Sequence, residues 1–123
     1  MNKSQNKRRT GNAFEQTAGA WLETKGYTIV EYNHRNKAGE LDIIARDASG
    51  SLVFCEVKYR ASGSCGTPEE AVDLRKQRRI SMAALWYYME NDIPLERGCR
   101  FDVIAVREDG DIRHYQNAFP FRK

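Results

Sequence analysis

A chain of 123 residues is the length of one domain, and 41% hydrophobic against 30% charged residues describes a core under a very polar surface, not a disordered chain. No run approaches the roughly 18 apolar residues that cross a membrane, and the basic start MNKSQNKRRT leads into no apolar stretch, so a cytoplasmic protein without membrane association is expected. Cys55, Cys65 and Cys99, an odd set beside only two His, argue against a disulfide framework or a zinc site and read as reduced thiols.

Residues 1–10 are polar, basic and aperiodic, which predicts a flexible arm ahead of a single domain over 11–123. From Asn12 a helical pattern begins with Phe14, Ala18, Trp21 and Leu22 on one stripe, and Gly26 stands where a helix C-terminus needs it. YTIVEYN, ELDIIAR and LVFCEVKY read as three strands, the last two joined by the polar turn DASGS. Pro68 opens a second helical region, with a break expected near Leu74 and an apolar stripe of Ile80, Ala83, Ala84, Tyr87 and Tyr88. RFDVIAVR is a fourth strand, and EDGD turns into a short last one at IRHYQ. The order is that of an α/β protein: an antiparallel meander of three strands, then a helical crossover to a parallel fourth, giving a mixed sheet flanked by helices.

Within the strands, three charged residues sit where side chains should be buried. Alternation puts Leu52, Phe54, Glu56 and Lys58 on one face of the third strand, and both of its faces read as covered. Asp42 and Glu56 are almost equally distant from the turn centre at residue 49, so they become cross-strand neighbours. Opposed like charges destabilise a pair of strands, and a buried carboxylate is costly unless it is paired or metal-bound. A divalent cation with oxygen ligands would compensate both acids, and Lys58 beside them suits the hydrolysis of a phosphodiester by water. A structural Glu56–Lys58 pair at a sheet edge is the competing account. Glu40 falls on Asp42's face nearer the strand mouth, as a ligand or a support for one. Glu15 borders the helical stripe and could join the acids, although Asn12 and Glu15 also have capping-box spacing. Two basic clusters, one in the arm and one at Arg75, Lys76, Arg78 and Arg79, fit a polyanion, but equally fit a solvated tail and helix face.

The segments GNAFE, NHRNKAGELDIIA, LVFCEVKYR, TPEEAV, KQRRISMAA and RFDVIAV resemble the YraN-type family of uncharacterised bacterial proteins, UPF0102, from about Gly11 to Val106. That family in turn resembles the restriction-endonuclease-like nucleases with the PD-(D/E)xK signature and an αβββαβ core, the Holliday-junction resolvases being the nearest functional analogy. Carried onto this chain, the resemblance implies catalytic residues Glu15, Asp42, Glu56 and Lys58, the three acids holding Mg²⁺ or Mn²⁺. Leu41 stands where the strict signature has proline. The resemblance also implies phosphate contacts along LRKQRR and at Arg35 and Lys37, with Gln77 a supporting donor near the site.

Three functions follow as expectations. The first is a metal-dependent endonuclease acting on branched or structured DNA in repair or recombination, a homodimer being suited to symmetric incision. The second is a catalytically idle adaptor that keeps the fold and binds nucleic acid. The third is a metal-bound structural protein whose tyrosine-rich helix meets another protein. Asp102, His34 and Cys55 read as structural or loop residues.

Overall fold

The computed structural model describes residues 12–61 and 72–123. Its elements run α1 (Ala13–Thr24), β1 (Thr28–Asn36), β2 (Gly39–Arg46), β3 (Leu52–Arg60), α2 (Leu74–Glu90), β4 (Cys99–Arg107) and β5 (Ile112–Phe119). The basic arm, the helical opening at Pro68 and Cys65 lie outside the described residues.

Helix α1 starts at a complete capping box: the Asn12 side chain accepts from Glu15 N at 2.9 Å while Glu15 Oε1 accepts from Asn12 N at 3.1 Å. These two bonds satisfy amides that the first turn would otherwise leave without a partner. The helix ends where Gly26 takes φ 89°, a left-handed value that costs glycine nothing. Helix α2 is capped by Asp73, whose side chain accepts from Lys76 N at 2.9 Å. The break expected near Leu74 is thus a capped helix start.

The strands form one sheet in the order β1-β2-β3-β4-β5, with β3 and β4 parallel and every other neighbouring pair antiparallel. One face carries Ile43, Ala45, Val53, Cys55, Ile104 and Val106 against Ala18 and Leu22 of α1. The other carries Leu41, Ile44, Phe54, Phe101 and Val103 against Ile80, Ala83, Ala84, Tyr87 and Tyr88 of α2. A sheet covered on both sides accounts for strands that are apolar on both faces. Burying a side chain such as Phe54 between the layers contributes about 1.5–3 kcal/mol.

Strand β1 is longer than its sequence pattern suggests. His34, Arg35 and Asn36 pair with Leu41, Glu40 and Gly39, so His34 and Arg35 belong to a strand and not to a turn. An edge strand tolerates such half-exposed polar residues. Asn36 closes the hairpin by accepting from Ala38 N and Gly39 N and donating to Ala83 O of α2 at 2.9 Å.

Candidate active site

The ladder between β2 and β3 runs from Arg46↔Leu52 to Ile43↔Cys55. At the next position Asp42 takes over with its side chain: Oδ2 accepts the Val57 N–H at 2.9 Å. The carboxyl therefore stands in the cleft where the two strands part, close enough to Glu56 for the Glu56 charge to act on it. Glu15 approaches the same point from α1, where its carboxyl interacts with Asp42 and feels the Glu40 and Glu56 charges. Three carboxyls from three elements meet, each held by local geometry: Glu15 by the capping box, Asp42 by Val57 and Glu56 by its place in the covered strand β3.

Like charges so close cannot all remain ionised cheaply. Burial, reinforced by the Glu56 charge, pushes the Asp42 carboxyl up to about 8, so Asp42 holds its proton at neutral pH. Burial also raises Glu15, against the lowering effect of its bond to the Asn12 backbone.

Two lysines face the acids. Lys58 Nζ lies 3.7 Å from Glu56 Oε1, and Lys76 Nζ lies 2.7 Å from the same oxygen. Burial lowers the proton affinity of Lys58, and the neighbouring Lys76 ammonium lowers it further. Burial acts on Lys76 in the same direction and is the largest single effect, but its bond to Glu56 together with Lys58 and the Glu56 and Asp42 charges outweighs it and raises Lys76. Two lysines thus face three carboxyls, and their opposite charges offset one another within the cluster. A cation entering the cluster competes with Lys58 and Lys76 for the Glu56 carboxylate.

Among the described residues no three His, Cys, Asp or Glu side chains are already spaced as a metal cage. Among the described residues, each of the three acids nonetheless keeps one oxygen outside its backbone or lysine bonds: Glu15 Oε2, Asp42 Oδ1 and Glu56 Oε2. An oxygen-donor set of this size suits Mg²⁺ or Mn²⁺, which take one or two carboxylates and complete their shells with water and phosphate.

The remaining residues singled out in the sequence divide. Glu40 is ion-paired to Arg35 at 3.3 Å on the exposed rim, and its charge is felt at Glu15. Lys37 stacks over the Trp86 ring at 5.8 Å. Arg75, Arg78 and Arg79 are exposed on α2, whereas Lys76 turns inward to Glu56, so the expected basic stripe loses one member to the carboxylate cluster. Gln77 does not support the acids: its buried amide donates to Val72 O at 2.8 Å and accepts from Arg122 Nε at 3.1 Å. His34 is clamped by Glu31 at 2.8 Å against the edge of Tyr87. Cys55 is buried on the opposite face of β3, its thiol raised by burial.

Sequence reasoning took Asp102 as structural but missed the polar centre built around it. Asp102, fully buried in β4, accepts from Arg100 Nε at 3.0 Å, from Asn117 N at 3.0 Å and contacts His114 Nε2 at 2.6 Å. Arg100 reaches on to Asp47 at 2.8 Å and to the Tyr27 hydroxyl. The available signal was the Arg100/Asp102 spacing, two apart and so on one face of a strand.

Comparison with known proteins bears on what this geometry belongs to. The chain is 44% identical over 114 residues to a UPF0102 protein of Lachnoclostridium phytofermentans, covering 93% of this chain and 95% of that one. It is likewise 44% identical over 120 residues to a UPF0102 protein of Aliivibrio salmonicida, covering 96% and 97%. Among solved structures it is similar to SSO0001, with a TM-score of 0.43 and 18% identity over 88% of this chain and half of that one. The family described as Uncharacterised protein family UPF0102 matches residues 14–106, a span that holds Glu15, Asp42, Glu56 and both lysines, and the chain belongs to that family.

Proposed function

We propose that the protein is a metal-dependent endonuclease that hydrolyses phosphodiester bonds in branched or otherwise structured DNA. The observation that carries this reading is the meeting of Glu15, Asp42 and Glu56 at the parting of β2 and β3 with Lys58 beside them. The acids would hold Mg²⁺ or Mn²⁺ through the three oxygens not used for backbone or lysine bonds. Such an ion, when bound, polarises the phosphoryl oxygen and lowers the pKa of a coordinated water. Lys58, whose hold on its proton burial weakens, is suited to take a proton from the attacking water or to balance the charge that builds on the phosphate. Arg75, Arg78 and Arg79 present an exposed guanidinium row for backbone phosphates, and Arg35 and Lys37 add charge from the neighbouring hairpin.

A second reading, an adaptor that binds nucleic acid without turnover, draws on one specific contact. Lys76 already neutralises Glu56 at 2.7 Å, as it would in a site that had given up its metal.

The experiment is a cleavage and binding assay of the purified protein with Mg²⁺ or Mn²⁺ on single-stranded, duplex, flap and four-way-junction DNA, beside D42N and K58A. Metal-dependent cutting that both variants lose is the expected result. Binding with no product on any substrate, RNA included, would replace the nuclease reading with the adaptor.

A further inference from the structure

We propose that Lys76 is a built-in counter-ion that holds Glu56 while no divalent cation is bound and gives it up when the ion arrives. The inference rests on the metal reading above but not on cleavage.

Two lysines share one oxygen of Glu56, and they are not equivalent. Lys76 makes the close contact at 2.7 Å, Lys58 the looser one at 3.7 Å. Lys58 belongs to the same strand as Glu56, so its backbone cannot withdraw without disturbing the sheet. Lys76 comes from the first turn of α2, its backbone fixed by the Asp73 cap and its side chain one-third exposed. A flexible four-carbon stem on a fixed anchor can swing its ammonium from the carboxylate into water while nothing else moves. Glu56, at 6% exposure, cannot follow it.

Electrostatics favours the exchange. The ammonium at 2.7 Å from Glu56 Oε1 already offsets the charge that a cation on the other carboxylate oxygen would compensate, and two cations on one carboxylate repel each other. An ion therefore binds with the pairing energy of Lys76 subtracted from its own, whereas a protein lacking that ammonium binds the ion without the subtraction. Lys76 is a positioning residue in this scheme: it sets the metal affinity of Glu56 and forms no bond to substrate.

The test is calorimetric titration of the full chain with Mn²⁺ alone, without nucleic acid, at one pH and ionic strength. Wild type is compared with K76M, K76R and K58M. The K76M protein should bind Mn²⁺ roughly 1.5- to fivefold more tightly than wild type, the range expected for removing a partly exposed ion pair from competition. K76R keeps the charge and should stay near wild type, and K58M should gain less than K76M because its contact is longer. Unchanged or weaker binding in K76M, an equal gain in K58M, or no Mn²⁺ binding by any of the four proteins would overturn the assignment. A K76M gain in a protein that cuts no nucleic acid keeps the counter-ion and removes the nuclease reading, so the two failures are separable.

Discussion

The Val57 N–H donates to Asp42 Oδ2 at 2.9 Å, in the place where a backbone carbonyl of β2 would continue the ladder. One carboxyl thereby ends the pairing of two strands and enters the cleft that their parting opens. The bond also explains why a half-buried acid beside two others is tolerated: it satisfies an amide that would otherwise be orphaned, a loss of about 1–3 kcal/mol.

The first prediction concerns pH. With a folded value near 8 against an ordinary 3.8, Asp42 binds its proton more tightly in the native protein than in the unfolded chain. Its contribution to stability is complete below about pH 4 and is lost as pH rises through 8, with a slope of at most about 1.4 kcal/mol per pH unit. Urea unfolding in EDTA across that range should show wild type weakening toward alkaline pH. D42N, which still offers an oxygen to Val57, should show a flatter profile and be the more stable protein at pH 8. Parallel profiles for the two proteins would mean that Asp42 is not the titrating group.

A second prediction separates the two duties of Glu15. Gln at the third helical position also closes a capping box, so E15Q should unfold at the wild-type denaturant concentration or slightly above it, the like charge facing Glu40 and Glu56 being gone. E15A opens the box and should lose roughly 0.5–1 kcal/mol. Both should bind Mn²⁺ more weakly than wild type. If E15Q binds the ion as wild type does, Glu15 serves only as a cap.

Much of this arrangement was legible before the coordinates. Period-two and helical patterns located every described element, and the distance to the turn at residue 49 brought Asp42 beside Glu56, because a hairpin with a short turn has a single register. What escaped was set by tertiary packing. Lys76 looks like its neighbours Arg75, Arg78 and Arg79 in a run of basic residues, and only the seating of the first turn of α2 over the end of β3 turns it inward. Residues 34–36 read as a loop because an edge strand can be polar on both faces. The partners of Asp102 come from Arg100 on its own strand and His114 on the next, a pairing that depends on a register shift between β4 and β5.

That buried centre supplies a third prediction. Burial alone would raise Asp102, but its bonds to His114, Arg100 and the Asn117 amide prevail and hold the carboxyl below its ordinary value. It therefore stabilises the fold above the unfolded-state value near 4 and ceases to do so as pH falls further, the opposite slope to Asp42. D102A strands the Arg100 and His114 donors and should cost roughly 3–5 kcal/mol. Denaturant unfolding at neutral pH reads the loss directly, and a change under about 1 kcal/mol would show the network to be energetically idle.

The final prediction tests which basic residues meet phosphate. Each contact with duplex DNA adds about 0.9 to the slope of log affinity against log salt. Replacing Arg75, Arg78 and Arg79 by Gln should therefore lower that slope by about 2 to 3 in EDTA, measured by fluorescence anisotropy on a labelled junction. K76Q, made alone, should leave the slope within error of wild type, since without metal its ammonium is engaged by Glu56 at 2.7 Å and not by the nucleic acid. A K76Q slope that falls by a full contact while the triple variant changes nothing would reverse the division of labour on α2, making the inward lysine the phosphate ligand and the exposed arginines mere solvated charge.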